Sequence, residues 1–62
     1  MSGYVLQRIP DGAFVARPGS RSSYVRALQL ARVFPTREAA ERERCPENER
    51  LIAVADLLRP EA

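Results

Sequence analysis

Ser23–Cys45, SYVRALQLARVFPTREAAERERC, is the stretch whose reading decides the fold. Tyr24, Ala27, Leu28 and Ala31 recur at helical spacing, and Ser22 or Ser23 can cap a helix that begins near Tyr24. Pro35 drives Phe34 out of the helical region. Val33 and Phe34 also suit a strand. The pattern predicts a short helix ending near Leu30, then a strand Ala31–Phe34. A continuous helix to Phe34 is the other reading. Thr36 then caps a second helix, Arg37 to about Arg44, with Glu38 in the first turn and an i,i+4 pair with Arg42. Ala39, Ala40 and Cys45 give this helix a small apolar side, and Pro46 ends it.

Upstream, Tyr4-Val5-Leu6-Gln7-Arg8-Ile9 is rich in strand formers. Pro10-Asp11-Gly12 is a turn, because proline presets φ and glycine accepts a left-handed position. Ala13–Ala16 reads as the return strand of a hairpin with Gly12 at a bulge. Downstream, Glu47-Asn48-Glu49 makes a polar turn, Arg50–Val54 a last strand, and Ala55–Leu58 one helical turn. The fold expected is α+β: a small, mostly antiparallel sheet of three to four strands in ββαβαβ order, with one main helix on one face. Strand 31–34, helix 37–44 and strand 50–54 would form either a right-handed βαβ crossover or an antiparallel bend. Residues 1–62 form one domain with 1–3 and 59–62 frayed. The expected core holds Val5, Phe14, Leu28, Phe34, Ala39, Leu51, Ile52 and Val54.

The 62 residues include one cysteine and no histidine, so an internal disulfide cannot form and a cysteine/histidine zinc site is almost excluded. A chain this short buries only about 60% of its unfolded surface, which makes a homo-oligomer an expected partner state. The free cysteine suits a reducing compartment. There is no secretory pattern and no long apolar run, which places the protein in the cytoplasm and off the membrane. The lack of histidine and of a cleft-forming framework argues against catalysis, so a non-enzymatic protein with no cofactor and no metal is expected.

All ten basic residues are arginine. Residues 1–37 hold six Arg and one Asp (+5), and residues 38–62 hold four Arg and seven acids (−3), which together give +2. Such asymmetry suits an anionic ligand on one side. The candidate site is the loop Arg17–Ser23. At the start of the expected helix it would offer free N–H groups to an anion. Arg17, Gly19, Ser20 and Arg21 would grip phosphate, with Ser23 beside them and Tyr24 stacking on a base. Arg26 or Arg32 would add a second cation, and Asn48 and Glu49 would read polar edges. The plainer alternative is a solvated loop ending in a serine cap. The loop lacks the lysine and the glycine spacing of a P-loop. The four aromatics are not laid out as a stacking platform, so nucleic acid is a weaker candidate.

Tyr4-Val5, Gly12, Phe14-Val15, Gly19, Ser23-Tyr24, Leu28, Ala31-Arg32, Phe34, Thr36–Ala39, Asn48-Glu49 and Leu57-Leu58 together resemble a family of short proteins encoded by phages and prophages. In that family a YV…G.YV hairpin precedes SYT..L..AR.F.TREEAE, then NE…V…LL. The resemblance covers almost the whole chain and departs at Val25, where threonine is usual, and at Phe14, where tyrosine is usual. It implies a role against host antiviral defence in the bacterial cytoplasm, by sequestering a phosphorylated nucleotide signal at an oligomer interface. Alternatively it implies a protein–protein inhibitor of a host defence protein, docking by a sheet edge or the charged helix; the +5 half of the chain separately leaves open a small nucleic-acid-binding accessory protein.

Overall fold

Successive side chains of a strand point to opposite faces of the sheet. In Tyr4–Arg8 (β1) the neighbours Val5 and Leu6 are both fully buried, so β1 is covered on both sides. The computed structural model describes residues 3–58 and places β1 inside a four-stranded antiparallel sheet of order β3-β2-β1-β4. The other strands are Phe14–Val15 (β2), Tyr24–Val25 (β3) and Glu49–Ala53 (β4). A 3₁₀ turn spans Leu28–Leu30, and the helices are Arg37–Glu43 (α1) and Val54–Leu57 (α2). The frayed termini expected at 1–2 and 59–62 lie outside the described residues. Gly3, expected to fray, is held: its carbonyl accepts from the Val54 N–H at 3.0 Å.

The register explains the two-sided core. Leu6 stands opposite Leu51, and Val15 opposite Tyr24. On this face Leu6 packs with Phe34 and Ala40, with Tyr4, Val15, Ala39 and Leu51 around them. Helix α1 supplies the alanines and contacts β1 and β4. On the opposite face Val5, Phe14, Ala31 and Val54 pack together with Val25, Leu28 and Ile52. The α+β architecture with one main helix is therefore the observed one. Of the expected core, Leu28, Ala39, Leu51 and Ile52 are only partly buried, while Leu6, Ala13, Ala16, Ala31 and Ala40 join it.

The hairpin turn forms as expected: Arg8 N–H donates to Ala13 C=O at 2.6 Å, and Gly12 takes φ 76°. Helix α1 is capped by the Thr36 hydroxyl, which accepts from the Ala39 N–H at 3.1 Å. It ends at Glu43, and its Glu41 pairs with Arg44 at 3.2 Å.

Four expectations are corrected. The helix expected from Tyr24 to Leu30 is instead strand β3 followed by the 3₁₀ turn, because the aromatic and β-branched pair Tyr24-Val25 lies against β2. The strand Ala31–Phe34 is reduced to two isolated antiparallel bridges, Ala16 to Ala31 and Tyr4 to Phe34. Both bridges sit where β1 and β2 part, so the segment wedges between them. Of the crossover and the antiparallel bend, the bend is the one corrected: segment 31–34, at Phe34, and β4 both run antiparallel to β1 on its two sides, so they are parallel to each other, and α1 joins them across β1. Cys45 does not pack with α1; it is exposed.

Candidate functional site

The sheet brings together a polar cluster at the hairpin end. Arg8 and Glu49 are cross-strand partners, so their side chains share a face. Tyr24 reaches over from β3. Its hydroxyl donates to Glu49 Oε2 at 2.6 Å, and its ring lies 4.4 Å from the Arg8 guanidinium carbon. Arg8 holds Asp11 in a two-point ion pair, and Asp11 Oδ1 also accepts from the Ala13 N–H at 3.2 Å. Glu49 is only 5% exposed, and its Oε1 accepts from the Cys45 N–H at 3.0 Å. A buried carboxylate needs such partners.

The Arg8 hydrogen bond, then the Ala13 N–H, hold the Asp11 carboxyl well below the ordinary carboxylate range. The same ion pair raises Arg8. The Glu49 hydrogen bond, then burial, push the Tyr24 hydroxyl above its ordinary value of 10.0. Each polar group here is engaged by another, and the cluster ties the hairpin, β3 and β4 together.

The loop Arg17–Ser23 lies elsewhere. No helix begins behind it, since the chain past Ser23 enters β3. The anion-attracting helix end expected there is therefore absent. Gly19 takes φ 86°, with nothing within 4 Å of where a Cβ would stand. Ser20 N–H closes a turn on Arg17 C=O at 3.1 Å, and Ser23 C=O accepts from the Ala16 N–H at 2.9 Å. Gly19, Ser20 and Arg21 are exposed.

Arg17, in the same loop, also reaches out of it. One of its Nη atoms donates to Gln29 C=O at 2.6 Å, and the two residues line a groove of about 420 Å³. Leu28, Val33, Val54 and Leu58 complete the lining, so the groove lies between the 3₁₀ turn and α2. Its volume is within the range of small-ligand sites, and it is an apolar cleft with a few polar groups, as such sites are, which corrects the expectation that so short a chain has no framework for a cleft.

The ten expected site residues therefore fall in several places. Arg17, Gly19, Ser20 and Arg21 stay together. Tyr24 and Glu49 bind each other. Arg26 donates to Asp11 C=O at 3.2 Å. Arg32 lies over the Phe34 ring at 4.5 Å and 3.9 Å from Glu43. Asn48 gives its C=O to the Ile9 N–H at 2.7 Å and its N–H to Cys45 C=O at 3.1 Å. Sequence reasoning missed Gln29, Val33 and Leu58 as lining, because they come from the 3₁₀ turn, the segment after it and the end of α2, which only the fold brings together. It also missed Arg8 and Asp11, whose i,i+3 spacing across a turn signal was the available clue.

Among the described residues, no cluster of three or more His, Cys, Asp or Glu could hold a metal, and no helix is long and apolar enough to cross a membrane. No family model, no curated protein and no solved structure matches the chain.

Proposed function

We propose that this protein is a non-enzymatic binding module that holds a phosphorylated nucleotide. In the phage setting implied by the resemblance, it would sequester a nucleotide immune signal in the cytoplasm of the infected bacterium. The supporting observation is Arg17, which belongs both to the basic loop and to the apolar groove. The base would enter between Leu28, Val33, Val54 and Leu58, with the Gln29 amide offering a donor and an acceptor to its edge. Phosphate would lie at Arg17, whose guanidinium suits phosphate oxygens, with Arg21 and the Ser20 hydroxyl on the adjoining loop. This replaces the wider constellation expected from sequence: Tyr24, Asn48 and Glu49 take no part in it.

Isothermal titration with cyclic nucleotides and ADP-ribose derivatives tests the reading. One of them should bind and be recovered unchanged. Arg17→Ala should then weaken binding by about 1.5–3 kcal/mol, the worth of a hydrogen bond to a charged group. Absence of heat with every ligand, or conversion of the ligand, overturns it.

One observation favours a second reading. Leu30, Val33, Leu57 and Leu58 are large exposed apolar residues, and Val33 and Leu58 also line the groove. An apolar fringe of this kind suits docking of a host defence protein. A stoichiometric partner recovered from host lysate, insensitive to nuclease and lost in Leu58→Asp, would select that reading.

A further inference from the structure

The sheet ends on one side at β3, which is two residues long, and on the other at β4, which is five. Backbone groups along β4 point in known directions. Asn48 C=O accepts from the Ile9 N–H, and Val54 N–H donates to Gly3 C=O, so both face β1. In an antiparallel ladder this direction alternates residue by residue. Arg50 and Ile52 therefore also face β1, and Glu49, Leu51 and Ala53 face outward. Glu49 is engaged on that side: its N–H donates to Cys45 C=O at 2.8 Å and its C=O accepts from Arg44 at 3.0 Å. The Leu51 N–H and C=O and the Ala53 N–H form the outer edge, which no strand among the described residues covers. Such an edge is a template for another strand.

We propose that β4 pairs antiparallel with β4 of a second copy, about a two-fold axis at Leu51. The sequence of the strand argues for this occupant. In that register Leu51 meets the partner's Leu51 in a reciprocal pair of hydrogen bonds. Arg50 stands opposite the partner's Ile52, and Glu49 opposite the partner's Ala53, so no like charges oppose each other. Sliding one copy by two residues towards its N-terminus would set Arg50 against the partner's Arg50, which is unfavourable. The Ala53 N–H reaches the partner's Glu49 C=O, which has a second lone pair beside the one engaged by Arg44. Leu51 and Ile52 are both partly buried, one at the margin of each core cluster. A second copy of β4 extends both clusters at once, so the pairing is isologous and closes.

Sedimentation velocity on the full chain should show a dimer forming in the micromolar range. A chain of this length can be synthesised with an N-methyl group on Leu51, which removes the outward N–H and leaves the ladder to β1 intact. That variant should keep its circular dichroism spectrum and self-associate at least tenfold more weakly. In a Cys45→Ser background, Leu51→Cys should oxidise to a covalent dimer, because symmetry sets position 51 against itself at a Cα separation of about 5.5 Å. Arg50→Cys should not. A monomer at all concentrations, a dimer indifferent to N-methylation, or cross-linking through position 50 in preference to 51 overturns the proposal. The cross-linking pair decides the matter if the methylated chain fails to fold.

Discussion

Glu49 is the buried charge of the described residues, and it fastens two strands of the sheet that do not adjoin. Glu49→Ala would leave the Tyr24 hydroxyl and the Cys45 N–H without their acceptor. The expected loss is about 2–3 kcal/mol, read from the midpoint of denaturant unfolding. Asp11 and Tyr24 set opposite limbs of the pH profile. Asp11 is depressed in the fold, so its contribution is present above its ordinary value of 3.8 and is lost as pH falls through the folded one. Tyr24 is raised, so its contribution is complete below 10.0 and is lost as pH rises through the folded value. Asp11→Asn should flatten the acid limb and Tyr24→Phe the alkaline limb of stability against pH. A variant that leaves its limb unchanged removes that group from the network. The sequence marks Glu49 as notable, but its partner lies 25 positions away, and only the antiparallel register makes them neighbours.

At the scale of elements, Ser23–Phe34 shows why spacing misleads. Leu28 and Ala31 are three apart, which fits one turn of α-helix equally well as one 3₁₀ turn. Both do pack in the same cluster. Tyr24 shared the period and so drew the expected helix towards the N-terminus, although its β propensity and that of Val25 already pointed to a strand. Segments with several agreeing signals were legible: the Pro-Asp-Gly turn, and α1 between Thr36 and Pro46. The wedge at Ala31–Phe34 was not, because it depends on where β1 and β2 separate. Gly3 shows how tight that wedge is. It has φ 119°, and a Cβ there would stand 2.5 Å from Val33 Cγ1. Gly19 has a similar φ of 86° but open space around it. Gly19→Ala should therefore cost about 1–2 kcal/mol through backbone strain alone, and Gly3→Ala distinctly more. Equal costs in thermal unfolding would mean that the contact with Val33 carries no weight.

For the whole molecule, a central strand buried on both faces lets so short a chain keep two small clusters without an internal disulfide. The antiparallel α+β class was readable from strand formers, turn residues and one capped helix. The groove was not, because its walls come from Arg17, Leu28, Gln29, Val33, Val54 and Leu58, which only the folded sheet brings together. Of the loop expected to bind an anion, Arg17 is the residue that reaches that groove. The most direct measurement is amide chemical-shift mapping of the isotope-labelled chain, titrated with ADP-ribose and with cyclic nucleotides. The account predicts that one ligand moves the signals of Gly19–Arg21, Leu28, Gln29, Val33 and Leu58 together while its own spectrum stays constant. Shifts confined to α1 and β4, no shifts with any of these ligands, or conversion of the ligand would contradict it.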